Sequence, residues 1–420
     1  MKIVLVRSVL LFAAVYCFIA ANYNNSNSNL LGDNNSVPPS PPPIAKYVTP
    51  HGTGDHTGSS WTNAYSIEDL KHRLASFTSF YFTDSTFLID SFVVRNFVNI
   101  SFIGKSKSNT IFEGILPEDK EDTSNWSMRC FELVNTNFCV IKDLQIRRFR
   151  AYGIKTDSYS NYFTGDNIYI DSCGWAAWGN SPYGSPLPIQ TNPFPAGIKL
   201  FGDYGTLMNS TVQRTGWDGV QVAGYNVLIE SSSIDSTGID IPGADHQGDG
   251  IHVFRNPDIY YEQENGLRIY KAGRLTVNNC YINTNSQKKS GIEAGFIEGA
   301  VEKPRLRAYN SYIAGGKGIG ITQSNDLTNG EFYSDVQNCT IVNLVIDRWP
   351  LRIENWDSGT NGKIKNNIFL CPANYPIGQC PVGECNTLPL AVTYEGNRWK
   401  KGNDWQSIFC SEPITDCTAD

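Results

Sequence analysis

Gly219-Val220-Gln221-Val222 and Gly250-Ile251-His252-Val253 are the stretches on which the fold of this 420-residue chain turns. Each runs small residue, aliphatic, variable, aliphatic. The string recurs as Gly153-Ile154-Lys155, Gly197-Ile198-Lys199-Leu200, Gly291-Ile292-Glu293-Ala294, Gly318-Ile319-Gly320-Ile321 and Pro350-Leu351-Arg352-Ile353. A period of two turns the aliphatic residues to one face and the variable residue to the other. A second string interleaves with it, a small polar turn followed by alternating residues. Its copies are Asp143-Leu144-Gln145-Ile146, Asp171-Ser172-Cys173, Asn209-Ser210-Thr211-Val212 and Ser231-Ser232-Ser233-Ile234, then Asn279-Cys280-Tyr281-Ile282, Asn310-Ser311-Tyr312-Ile313, Asn338-Cys339-Thr340-Ile341 and Asn366-Asn367-Ile368-Phe369. Successive copies lie between 22 and 48 residues apart, and the shortest interval sets a basic coil.

Two short strands per coil at a drifting interval mean stacked coils rather than a sandwich or an ordinary barrel. Neighbours in each sheet then come from successive coils, and aliphatic side chains pile into ladders about 4.8 Å apart inside the tube. Asn, Asp and Ser suit the repeated turn because they tolerate a sharp bend and bond to nearby backbone. In this register Cys280 and Cys339 share one ladder with Ser311 between them. Two strand spacings, roughly 10 Å, are too far for a disulfide, so both are expected to be free, buried thiols.

Outside the coils, the chain begins with Lys2 and Arg7 around an apolar run from Ile3 to Ala21, the pattern of an export leader, 1–21. An uncleaved anchor is the alternative. Residues 22–45 form an Asn/Ser/Pro-rich linker, and a single domain, 46–420, follows, with coils over 95–370. A short helix at 67–75 is expected to cover the first coil. Among the 11 cysteines, Cys371, Cys380, Cys385, Cys410 and Cys417 crowd into 371–420, which in an exported protein reads as a disulfide-stapled C-terminal cap. Net charge is −7, with Lys and Arg scattered, unlike the basic footprint of a nucleic-acid binder. The expected protein is therefore extracytoplasmic, free of the membrane once the leader is cut, and monomeric.

The Gly-Ile-x-Val and Asn-Cys-x-Ile coils resemble those of the pectate-lyase-like superfamily of right-handed parallel β-helix proteins. The opening string Tyr47–Ala64 also looks like the start of many exported β-helix proteins. The resemblance covers residues 95–370 and implies an all-β fold, a right-handed parallel β-helix, with the active site along one parallel sheet. It specifies the reaction poorly, because the superfamily holds polysaccharide lyases, glycoside hydrolases, epimerases and non-catalytic surface proteins. The polygalacturonase set is missing here, and so is the Asp-Pro-His-Glu string of alginate epimerases.

If the coils register, the variable residues fall on one outward line: Lys155, Lys199, Gln221, His252, Glu293, Gly320, Arg352, with Asp157 and Glu354 at the next outward positions. Five ionisable groups on one line suit a groove for an extended polar chain. Asp218 should lie beside Asp249, and Gln221 beside His252. Two carboxylates one strand apart can raise one another's pKa and supply an acid and a base, or hold a Ca²⁺ ion through hard oxygen ligands. Asp before Gly is also simply good turn chemistry. His252 beside Glu293 is a candidate oriented base in a chain with only 5 histidines. Lys199, Gln221, Arg255, Arg352 and Trp217 would bind substrate, with Trp175, Trp178 and Tyr260 walling the groove from inserted loops. A uronate-polymer lyase would use the cations for the carboxylate and His252 for the proton. A glycoside hydrolase would use two carboxylates from Asp218, Asp249 and Glu293. A glycan-binding or adhesion protein would need no ionisable centre.

Overall fold

A computed structural model describes residues 43–115, 127–174, 195–238, 248–262, 268–284, 289–294, 305–322, 332–344, 350–354, 360–371, 382–384, 391–401 and 404–407. All lie in one compact unit, Pro43–Asp420. The leader, most of the linker, Trp175, Trp178, and Cys380, Cys385, Cys410 and Cys417 fall outside the described residues.

Three parallel sheets are built from successive coils. The first has 12 strands, from Ile44–Val48 to Ala391–Glu395. The second also has 12, from Ser85–Ile89 to Arg398–Lys401, and closes with the antiparallel Asp404–Ser407. The third has 10, from Phe92–Arg95 to Val382–Glu384. One coil visits them in turn, as Thr206–Met208, Thr211–Gln213 and Asp218–Val222 do. The expected two strands per coil are thus one short. The overlooked strands, of the first sheet, include three-residue pieces such as Thr206–Met208 with a single inward side chain, Leu207, too few to display a period. The stack also starts at Ile44, well before residue 95 and inside the expected linker.

Ile154, Ile198, Val220, Ile251, Ile292, Ile319 and Leu351 form one continuous inward ladder, all at 0% exposure. Each such side chain contributes about 1.5–3 kcal/mol by leaving water. Earlier coils fill the tube with phenylalanine instead. Phe80, Phe82, Phe102, Phe112 and Phe131 are buried, with ring centroids such as Phe82–Phe112 at 4.9 Å and Phe80–Phe102 at 5.8 Å. The recurrent glycine marks the corner where the second sheet turns into the third. A Cβ on Gly219 would lie 2.5 Å from the Ile234 methyl and 2.6 Å from the Gly250 carbonyl oxygen, so no side chain fits.

The other repeated turn joins the first sheet to the second. Asp143, Asn167, Asn209, Ser231, Asn279, Asn310, Asn338 and Asn366 all take φ between 49° and 56° there, the left-handed region in which Asn and Asp are enriched. Asn167-Ile168, not Asp171-Ser172, is therefore the turn of its coil. Asp171 instead ends the strand Tyr169–Asp171, and Ser172 bends the chain toward the third sheet. The helix is shorter than expected, Ile67–Lys71, and starts at a capping box in which Ser66 and Asp69 satisfy each other's backbone N–H groups. Ile67 and Leu70 join the buried core. Cys130, Cys139, Cys173, Cys280 and Cys339 are free and buried, Cys371 is buried as well, and no disulfide joins two of the described residues. Burial pushes the Cys280 and Cys339 thiols up to about 11.

Candidate active site

The third sheet carries an outward row and, beside it at the corner, a second row that is largely buried. Strand register places Glu132, Lys155, Lys199, Gln221, His252 and Glu293 in one row, followed by Gly320 and Arg352. The expected line is reproduced residue for residue and extended upstream by Glu132. Three positions earlier on each strand lies the second row, Arg129, Tyr152, Ala196 and Asp218, continued by Asp249 and Ser290. Three central coils bring their members of the two rows together. Gln221 Nε2 donates to Asp218 Oδ2 at 2.8 Å, His252 Nδ1 lies 3.9 Å from Asp249 Oδ2, and Ser290 Oγ donates to Glu293 Oε2 at 2.6 Å.

Successive coils are stitched through the same carboxylates. Asp249 N–H donates to Asp218 Oδ1 and Ser290 N–H to Asp249 Oδ1, both at 2.8 Å. Asp218 is fully buried and Asp249 is 4% exposed, whereas the His252 side chain keeps 28% of its surface. His252 Nδ1 also stands 3.4 Å from Asp218 Oδ2. The carboxylates therefore lie behind the imidazole, and His252 and Glu293 face outward as neighbours one strand apart.

Burial, and then the negative charge of Asp218, push the Asp249 carboxyl up to about 7. Burial works against the His252 imidazolium, but it is outweighed by the hydrogen bond it donates to Asp218 and by the charges of Asp218, Asp249 and Glu293. The net result is a rise to about 9. His252 thus holds its proton at neutral pH. The two aspartates behind it favour the protonated form.

Asp218, Asp249 and His252 offer ligand atoms within 4.8 Å of one another. This set does not fit Ca²⁺, which takes six to eight oxygen ligands. Among the described residues of this set the carboxylates are those of Asp218 and Asp249; both oxygens of Asp218 already accept N–H groups, and one oxygen of Asp249 does too.

The remaining expected residues divide. Lys199 belongs to the row but is fully buried. Trp217 is half-buried at the start of the Asp218–Val222 strand. Arg255 and Tyr260 fall on Arg255–Glu262, which pairs antiparallel with Arg268–Ala272 as a hairpin leaving the coil just after Phe254. Asp157 is not a site residue. Its carboxylate closes a turn by accepting from Asn135 N–H, Tyr159 N–H and Ser160 Oγ. Ser290 was overlooked, although counting three back from Glu293, as from Gln221 to Asp218, would have found it.

No protein-family model matches this sequence, and no curated protein matches it. Solved structures do resemble it. The pectate lyase Pel9A superposes with a TM-score of 0.52 at 14% identity, over 86% of this chain and 80% of that one. The chain has the right-handed parallel β-helix fold. A surface adhesin of Streptococcus pneumoniae, PfbA, gives a TM-score of 0.49 at 12% identity over 78% of each chain. An α-1,3-glucanase of Streptomyces thermodiastaticus gives 0.47 at 12%, over 87% of this chain and 57% of that one.

Proposed function

We propose that this protein is an exported carbohydrate-active enzyme, a polysaccharide lyase that cuts a uronate-containing chain by β-elimination on the third sheet. The observation that carries this reading is the outward pair His252 and Glu293, one strand apart on one face, with a protonated imidazole held from behind by Asp218 and Asp249. Elimination needs a base for the proton beside the sugar carboxylate and an acid for the departing glycosidic oxygen. Glu293 accepts the proton from C5, electrons close the C4–C5 double bond, and the C4–O bond breaks with His252 Nε2 protonating the oxygen. Asp218 and Asp249 are positioning residues, since neither reaches the surface. Hydrolysis is the weaker reading. It calls for two carboxyl groups flanking the bond, about 5–9.5 Å apart, and the two aspartates are buried side by side instead. A purely glycan-binding surface leaves the buried charges without a purpose.

Among the described residues no helix is long and apolar enough to cross a membrane. Export is proposed on the leader alone. The test of the reaction is incubation with a panel of acidic and neutral polysaccharides, with and without a chelator. New absorbance near 235 nm, unaffected by the chelator, is expected with uronate polymers only. New reducing ends without that absorbance would make the protein a hydrolase, and glycan binding with neither signal would make it a binding module.

A further inference from the structure

At the corner where the third sheet turns into the first, the coils stack rings on the outside of the tube. By the register of the first sheet, Phe77, Asn99, Phe138, Tyr162 and Tyr204 occupy one position of successive coils, and all five take φ between 56° and 59°. Left-handed backbone suits Asn and is costly for a bulky residue, so four aromatic residues held in it need a compensating contact. Three of them find it in one another. Phe138 and Tyr162 stack at 4.6 Å and Tyr162 and Tyr204 at 5.0 Å, with ring planes within 6° of parallel. Phe77 meets no ring among the described residues. Between it and the stack stands Asn99. Among the described residues nothing hydrogen-bonds the Asn99 amide, and the amide is not sealed from water. Asn99-Ile100-Ser101 is also the acceptor pattern for amide-linked sugar in exported chains.

We propose that Asn99 is an N-glycosylation site whose first sugar, an N-acetylhexosamine, seats between Phe77 and Phe138 and completes the stack. The inference rests on the proposed export, because the transfer acts on chains entering the secretory membrane. There the Asn99 amide nitrogen attacks C1 of a polyprenyl-pyrophosphate-linked oligosaccharide. The N–C1 bond forms as the C1–O bond breaks, the lipid pyrophosphate leaves with the electron pair, and the amide gives up one proton. Phe77 and Phe138 are two strand spacings apart, about 10 Å, which admits one ring at the spacing the stack already has. The C–H face of a sugar is apolar and packs on flat aromatic surface. Asn209-Ser210-Thr211 and Asn338-Cys339-Thr340 share the acceptor pattern but lie in the polar turn, flanked by Asn167 and Ser231 and by Asn310 and Asn366. Their amide nitrogens donate to Asp166 Oδ1 at 2.9 Å and to Asn310 Oδ1 at 3.3 Å. A sugar at either has no ring to rest on.

The experiment is secretion of the full chain from a eukaryotic culture, then N-glycosidase release in heavy-oxygen water and peptide mass spectrometry. Asn99 should be converted to isotope-labelled aspartate. Secretion with Asn99 unlabelled overturns the proposal and spares the export reading, whereas retention in the cell without sugar overturns both. The seat is read by melting temperature after every glycan is trimmed to its first sugar. The comparison is with Ser101→Ala, which removes the acceptor pattern and leaves Asn99 in place, and the same pair made without sugar in a bacterial cytoplasm gives the baseline. The sugar at Asn99 should raise the midpoint by about 1–2 °C. In a Phe138→Leu background, and again in Phe77→Leu, that gain should vanish, because leucine keeps bulk and offers no flat face. Sugars at Asn209 and Asn338 are common to both arms and cancel. A gain that survives both leucine substitutions, or no gain in the otherwise unaltered chain, overturns the seat.

Discussion

Two columns of polar residues run along this protein, and they are built on opposite principles. At the turn between the first and second sheets, every buried polar group is matched. Ser232 Oγ accepts Ser210 N–H and donates to the Glu230 carbonyl, and Ser311 Oγ does the same between Cys280 N–H and the Tyr309 carbonyl. Asn367 accepts Cys339 N–H and donates to the Val336 carbonyl and to Asn397. On the third sheet the same repeat stacks Asp218 on Asp249 and leaves Lys199 unmatched. A satisfied ladder stabilises a coil. Like charges buried together, or a donor with no acceptor, cost stability and are the mark of a site.

The contrast can be broken by substitution on either side. The largest effect is expected from His252→Ala, which should lower turnover about 10³-fold while the fold is retained. Near-normal turnover would remove His252 from the chemistry and make the third-sheet column merely another scaffold. A smaller effect, about tenfold, is expected from Asp218→Asn, and its signature is the pH profile. His252 works in its protonated form, so wild-type turnover should fall as pH rises past about 9. Without the carboxylate beside Nδ1, the imidazolium loses its proton sooner, and that limb should move to lower pH. An unmoved limb would mean that Asp218 does not hold the proton. The smallest effect on activity, none, is expected from Asn367→Ala in the turn column. There the loss should be in stability, about 1–3 kcal/mol for the donors and acceptors left unpaired, read by denaturant unfolding.

The outward row was legible because strand alternation can be counted from each glycine, and stacking does the rest. That single operation brought together His252 and Glu293, 41 positions apart like Asp249 and Ser290. What it could not reach depends on depth rather than order. Whether Lys199 points into water or lies buried is decided by what packs over it, and the proton on His252 is decided by carboxylates behind the ring. Asp157 shows the converse error. It sits one residue past the strand Tyr152–Thr156, where the chain has already begun to turn, so its alternation no longer counts. The first sheet escaped notice because some of its strands, like Thr206–Met208, offer one inward residue each.

The glycine corner has a consequence for how such a groove can change. Since a Cβ at Gly219 or Gly250 would strike the adjoining coil's carbonyl oxygen, the layers are pinned at fixed height like rungs. The separation of any two side chains along the third sheet can then be altered only by gaining or losing a whole rung, so it changes in whole steps of the coil height.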